Sequence, residues 1–240
     1  MATHIPRSTP LPRHTEPHFT ASDTVRDVVI GMSDGLTVPF ALAAGISGAI
    51  ASSHIVVTAG VAELVAGGIS MGLGGYLAAQ TEAEHFKSER SREEREVEEI
   101  PAEERAEVNN ILRSYGLDAN DAARVTDSLT RDRKRWVDFM MRFELGLVQP
   151  ESSRAPIGAL TIGGSYVIGG IVPLLPYLFF PSAHNALYVS AAVTLIALCI
   201  FGAVKGALTG VPIVRSAIQT ALIGGAAATV AFLVARLVSG

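Results

Sequence analysis

Five stretches of the chain are apolar almost without interruption, at about residues 28–50, 55–81, 156–180, 185–207 and 214–237. A helix needs about 20 mostly apolar residues to cross a hydrocarbon core, so each stretch predicts one membrane helix. Between the second and third stretches the pattern changes to charges at helical spacing. "EAEHFKSERSREEREVEE" has neither Gly nor Pro, Pro101 can open a second helix, "PAEERAEVNNILRSYG", that ends at Gly116, and a third run extends from Ala119 to Gly146. Pro150 marks the return to the membrane. The pattern predicts an all-α membrane protein with five transmembrane helices: residues 25–87 hold helices 1 and 2, and 151–240 hold helices 3 to 5. A three-helix soluble domain, 88–150, is inserted between helices 2 and 3.

The charge distribution supports that division. Hydrophobic residues make up 49% of the 240 and charged residues 18%, and residues 82–154 hold 18 of the 23 acidic and 13 of the 19 basic side chains. The apolar stretches are rich in Gly and Ala, and "GMSDG", "GISMG", "GAVKG" and "GALTG" are small-xxx-small patterns. Such patterns let helices approach closely in lipid and predict a tight bundle that forms an oligomer. Lys and Arg are absent from the turns near 52–54 and 181–185 but occur before the first stretch, throughout the middle segment and at Lys205 and Arg215. By the positive-inside rule the N-terminus and residues 88–150 face the cytoplasm.

The remaining composition narrows the chemistry. Cys199 is the single cysteine, so disulfide frameworks and cysteine-ligated zinc are excluded. Net charge is −4, which argues against a nucleic-acid partner and for a cation. Residues 1–24 are expected to be a disordered tail, with no apolar core of signal-peptide length; His4, His14 and His18 within it are weak metal candidates.

Two carboxylates fall inside apolar stretches, Asp34 in "GMSDGLTVPF" and Glu63 in "VAELVAGGISMGLGG". An Asp at the centre of a membrane helix costs about 2.5–3.5 kcal/mol on insertion scales and normally faces a polar pathway. Met71 lies two helical turns after Glu63, on the same face. Carboxylates with a thioether favour a divalent transition metal over sodium or calcium. In the soluble segment Glu93 and Glu96 form an i, i+3 pair, Glu104 and Glu107 form another, and Met140 and Met141 share a face with Glu144. The spacing leaves open whether these faces converge or pair with Arg92, Arg95 and Arg105 in solvent.

"DVVIGMSDGLTVPFALAAG", "AELVAGGISMGLGGYLAAQTEAEH", "DFMMRFELGL", "SYVIGGIVPLLPY" and "SAIQTALIGG" resemble the vacuolar iron transporter family of plants and fungi, with bacterial relatives. The resemblance runs from about Val25 nearly to the end of the chain. It implies a homodimer with five membrane helices per subunit, a pore at the dimer interface and a cytoplasmic helical metal-binding domain, exchanging Fe2+ for protons. Residue by residue, it implies pore ligands at Asp34, Glu63 and Met71. It implies metal-domain ligands at Glu93, Glu96, Glu104, Glu107, Met140, Met141 and Glu144. No prosthetic group is expected: Fe2+ is the transported substrate, with Mn2+, Co2+ and Zn2+ compatible with the same ligands. The membrane is vacuolar in a eukaryote and the inner membrane in a bacterium. Two other readings use the same residues: a membrane-tethered di-iron oxidase, for which Glu82 and His85 supply one Glu-x-x-His motif, and a metal sensor on a membrane anchor.

Overall fold

In the computed structural model the described residues are 23–239, and their regular elements are all helices, apart from one isolated bridge. The tail and its three histidines lie outside the described residues. The helices are α1 (Asp23–Ala49), α2 (Ser53–Glu99), α3 (Pro101–Ser114), α4 (Ala119–Leu129), α5 (Arg133–Phe143), α6 (Arg154–Leu174), α7 (Ala183–Thr209) and α8 (Ile213–Ser239). A short 3-10 turn, Leu175–Leu178, follows α6.

Five of these, α1, α2, α6, α7 and α8, are long and apolar enough to cross a membrane. Their outer surfaces match that environment. Val61, Val65, Ile69, Leu73 and Leu77 repeat every four residues along α2 and all are exposed. A continuous apolar stripe of this kind is unstable in water and is at home among lipid tails. Helix α6 packs on α1 and α2, and α8 packs on α1 and α7. The crossings close where side chains are absent: a Cβ added at Gly35 would overlap the backbone carbonyl of Tyr166, so α1 and α6 touch backbone to backbone. At one end of the bundle the α1–α2 and α6–α7 turns are tied by a bridge between Ser52 and Ser182, and Ala183 N–H donates to Ala51 O at 2.9 Å.

Helix α2 is 47 residues long, which at 1.5 Å per residue is about 70 Å, more than twice the hydrocarbon thickness of a bilayer. It runs through residues 87 and 88 without a break, so one continuous rod carries both Glu63 and Glu93. Helices α3, α4 and α5 gather around its charged end. Arg90 donates to Asp138 at 2.8 Å and Arg133 to Glu94 O at 2.8 Å, fastening α5 to α2, while Arg105 bonds Asp127 and Thr130 to fasten α3 to α4.

The run expected from Ala119 to Gly146 is two helices rather than one. Asp132 breaks it by accepting from Arg135 N–H at 3.2 Å as the N-cap of α5, and Asp118 caps α4 in the same way. A short acidic side chain that bonds the backbone locally competes with a helix interior, and here it starts a new helix. The reversal folds α5 back so that Trp136, Val137, Met140 and Met141 meet Val97 of α2 and Val108 of α3 in one apolar core.

Candidate metal-binding sites

The carboxylates of the soluble helices are unusual in their depth. Glu93 is 1% exposed and Glu104 3%, and each has a buried Oε2 with no hydrogen-bond partner. One helical turn after each lies a residue of a shared apolar core, Val97 after Glu93 and Val108 after Glu104, and the same core holds Met140 and Met141, which are 0% and 2% exposed. Burial pushes the Glu93 carboxyl up to about 7, aided by the charges of Glu144, Glu96 and Glu107. Burial likewise pushes Glu104 up to about 7, with Glu107, Glu93, Glu144 and Glu96 adding to it. Glu144 is raised by burial and then by Glu107 and Glu96. The carboxylates of α2, α3 and the end of α5 are thus within electrostatic reach of one another, as the contacts among these three helices require.

The backbone places some of these charges at the unfavourable end of their helices. Glu96 lies in the last turn of α2 and Glu144 is the C-cap of α5, both at the negative pole of the helix dipole, where a cation is favoured and an anion is not. Gly146 fixes the α5 terminus. It adopts φ +67°, and beyond it Leu147 N–H donates to Met141 O at 2.8 Å as Leu147 packs against the core. Buried carboxylates, orphaned oxygens and negative helix ends outweigh the one guanidinium beside them, Arg92, which is 3.5 Å from Glu96 and 3.9 Å from Glu93.

No three His, Cys, Asp or Glu side chains among the described residues form a ready-made metal shell. Glu107 and Glu144 are exposed residues whose side chains meet each other, while Glu93 and Glu104 are buried.

The membrane residues are arranged differently. Glu63, on α2, accepts a hydrogen bond from the Tyr166 hydroxyl on α6, and its other oxygen is buried and unpartnered. Asp34, on α1, is exposed yet within electrostatic reach of the same hydroxyl. Met71 lines a cavity of about 390 Å³ together with Asp27, Ser70, Glu82 and Arg154. Asp34 and Glu63 are not on that wall, although Met71 packs against the core cluster that contains Tyr166. A larger cavity of about 690 Å³ between α7 and α8 is lined mainly by Phe, Leu and Ala and carries no ligand set.

A model of the VIT family matches residues 25–236, nearly the whole described chain. The chain belongs to the VIT family. It is 57% identical over 226 residues to a vacuolar iron transporter of Centaurea cyanus, covering 94% of this chain and 92% of that protein. With vacuolar iron transporter 1 of Arabidopsis thaliana the identity is 53% over 232 residues, 97% and 93% of the two chains. With protein CCC1 of Saccharomyces cerevisiae it is 37% over 222 residues, 89% of this chain and 68% of the other. The two plant relatives are named as transporters, and this VIT-family chain is a transporter rather than an enzyme. Glu82 lines the cavity beside Arg154, while His85 is exposed and faces Glu89.

The VIT-family chain also contains polar residues that sequence reasoning missed. Asp27 is 1% exposed and is held by Arg154 through two hydrogen bonds of 2.6 and 2.8 Å, joining α1 to α6. Asp27 lies two turns before Asp34, and Arg154 opens the third apolar stretch; two opposite charges at the edges of two membrane helices were the available signal. Tyr166 was missed because an apolar stretch gives no indication of which neighbouring helix its hydroxyl meets.

Proposed function

We propose that this chain is a proton-coupled exchanger that moves Fe2+ out of the cytoplasm into a vacuole. The identity to plant vacuolar iron transporters over nearly the full length supports the cargo and the membrane. The observation that carries the reading is the pair of buried carboxylates, Glu93 and Glu104, each with an unpartnered oxygen, set against two buried methionines. Carboxylate oxygens with thioether sulfur suit Fe2+, and equally Mn2+, Co2+ or Zn2+, and disfavour Mg2+ and Ca2+.

In this reading residues 88–150 are the cytoplasmic domain that captures the ion with Glu93, Glu96, Glu104, Glu107, Met140, Met141 and Glu144. The ion passes to Asp34, Glu63 and Met71 in a pathway between two copies of the chain. Exposure of Asp34 on the single subunit supports a dimer, because a carboxylate left facing lipid costs about 2.5–3.5 kcal/mol that a water-filled interface removes. Carboxylates must lose their protons to coordinate, so metal binding releases protons and metal release takes them up. Asp34 and Glu63 therefore alternate between protons and the ion, which is the minimum that exchange requires. The test is Fe2+ uptake by proteoliposomes: Asp34→Ala and Glu63→Ala each reduce uptake to near the protein-free background. Wild-type rates in both would remove these residues from the pathway.

A further inference from the structure

The basic residues around the carboxylate cluster are not equivalent. Arg90 is engaged by Glu94 and Asp138, Arg105 by Asp127 and Thr130, and Arg133 by Glu98 and the Glu94 carbonyl. Arg92 instead lies among residues of the cluster. Its Nε is 3.5 Å from Glu96 Oε2 and its Nη2 is 3.9 Å from Glu93 Oε1, while Nη1 makes its closest contact, 2.9 Å, with Glu89 Oε2. Its charge also acts on Glu144 on α5.

We infer that Arg92 is a tethered competing cation for this cluster: it pairs with Glu93 and Glu96 when no metal is present, and its charge limits how tightly the cluster then holds a divalent ion. The inference rests on the reading of the cluster as a metal site. Two features give the device its logic. Glu89 lies outside the ligand set and already makes the tightest contact, so an incoming ion can displace Arg92 from Glu93 and Glu96 without leaving the guanidinium unpaired. Arg92 is also half-exposed, so its displacement requires no repacking of the core. A cluster of this acidity with no opposing charge would bind its cargo too firmly to hand it on; Arg92 keeps capture reversible.

The experiment is an anaerobic Fe2+ titration of the full-length protein in detergent, in competition with a chromogenic Fe2+ chelator. Arg92→Gln tightens Fe2+ binding by about three- to tenfold, the range for one partly screened charge beside the ion, and the gain shrinks as salt is added. Arg92→Lys keeps the charge and stays near wild-type affinity. Unchanged or weaker binding in Arg92→Gln, with Glu93→Gln and Glu104→Gln both weakening it, would overturn the role of Arg92 and leave the metal site standing. Wild-type binding in Glu93→Gln and Glu104→Gln would instead remove the site itself, and with it the inference.

Discussion

Among individual residues, Glu93 and Glu104 carry the most information, since a fully buried carboxylate with an unpartnered oxygen is costly unless something binds it. The sequence showed these glutamates as i, i+3 pairs with Glu96 and Glu107 but could not say which member of each pair pointed inward. That choice depends on α3 packing against α2, a tertiary contact that spacing does not encode. In uptake assays Glu93→Gln and Glu104→Gln raise the KM for Fe2+ by several-fold and leave most of the maximal rate, because capture and not passage is impaired. A sensor would instead lose its whole metal response. With carboxyls near 7, proton competition also sets a pH dependence: Fe2+ affinity of the cluster falls as pH drops below about 7, since Glu93 and Glu104 then hold protons that the ion must displace. Within the membrane, Tyr166→Phe removes the hydroxyl that orients Glu63 and lowers uptake several-fold while the protein still assembles.

Among the helices, length and apolar periodicity made the five membrane helices legible, and the observed spans contain the expected stretches nearly residue for residue. The exception was the run from Ala119 to Gly146. Its helical charge pattern continues through Asp132, and only local competition between the Asp132 side chain and the backbone reveals the break. That break matters for the site, since the reversed α5 brings Met140, Met141 and Glu144 back to α2. Gly146 completes the arrangement in a left-handed conformation that costs an L side chain about 1–2 kcal/mol. Gly146→Ala therefore lowers the thermal stability of the soluble helices and weakens metal capture together. The raised carboxyls make a second prediction. Unfolded glutamates titrate near 4.5 and the buried pair near 7, so the folded protein binds extra protons between these values. The stabilisation this gives is complete below about pH 4.5 and is lost as pH rises through about 7. Metal-free protein should therefore melt at a lower temperature at pH 8 than at pH 5, and Glu93→Gln should flatten the difference.

For the whole molecule, the continuous α2 rod carries both proposed sites, Glu63 and Glu93, on one helix. The sequence announced both ends of that rod through the buried carboxylate at one and the charge run at the other. It could not announce the Asp27–Arg154 clasp or the Tyr166 hydroxyl, which arise where α6 crosses α1 and α2. The central claim is that Fe2+ and protons cross in opposite directions, and the most direct measurement records both in the same vesicles. Proteoliposomes with a trapped pH dye and the membrane potential clamped are given external Fe2+ under anaerobic conditions. Fe2+ entry is accompanied by a rise in internal pH, and both signals vanish together in Asp34→Ala. Fe2+ entry at the full rate with no change in internal pH would contradict it.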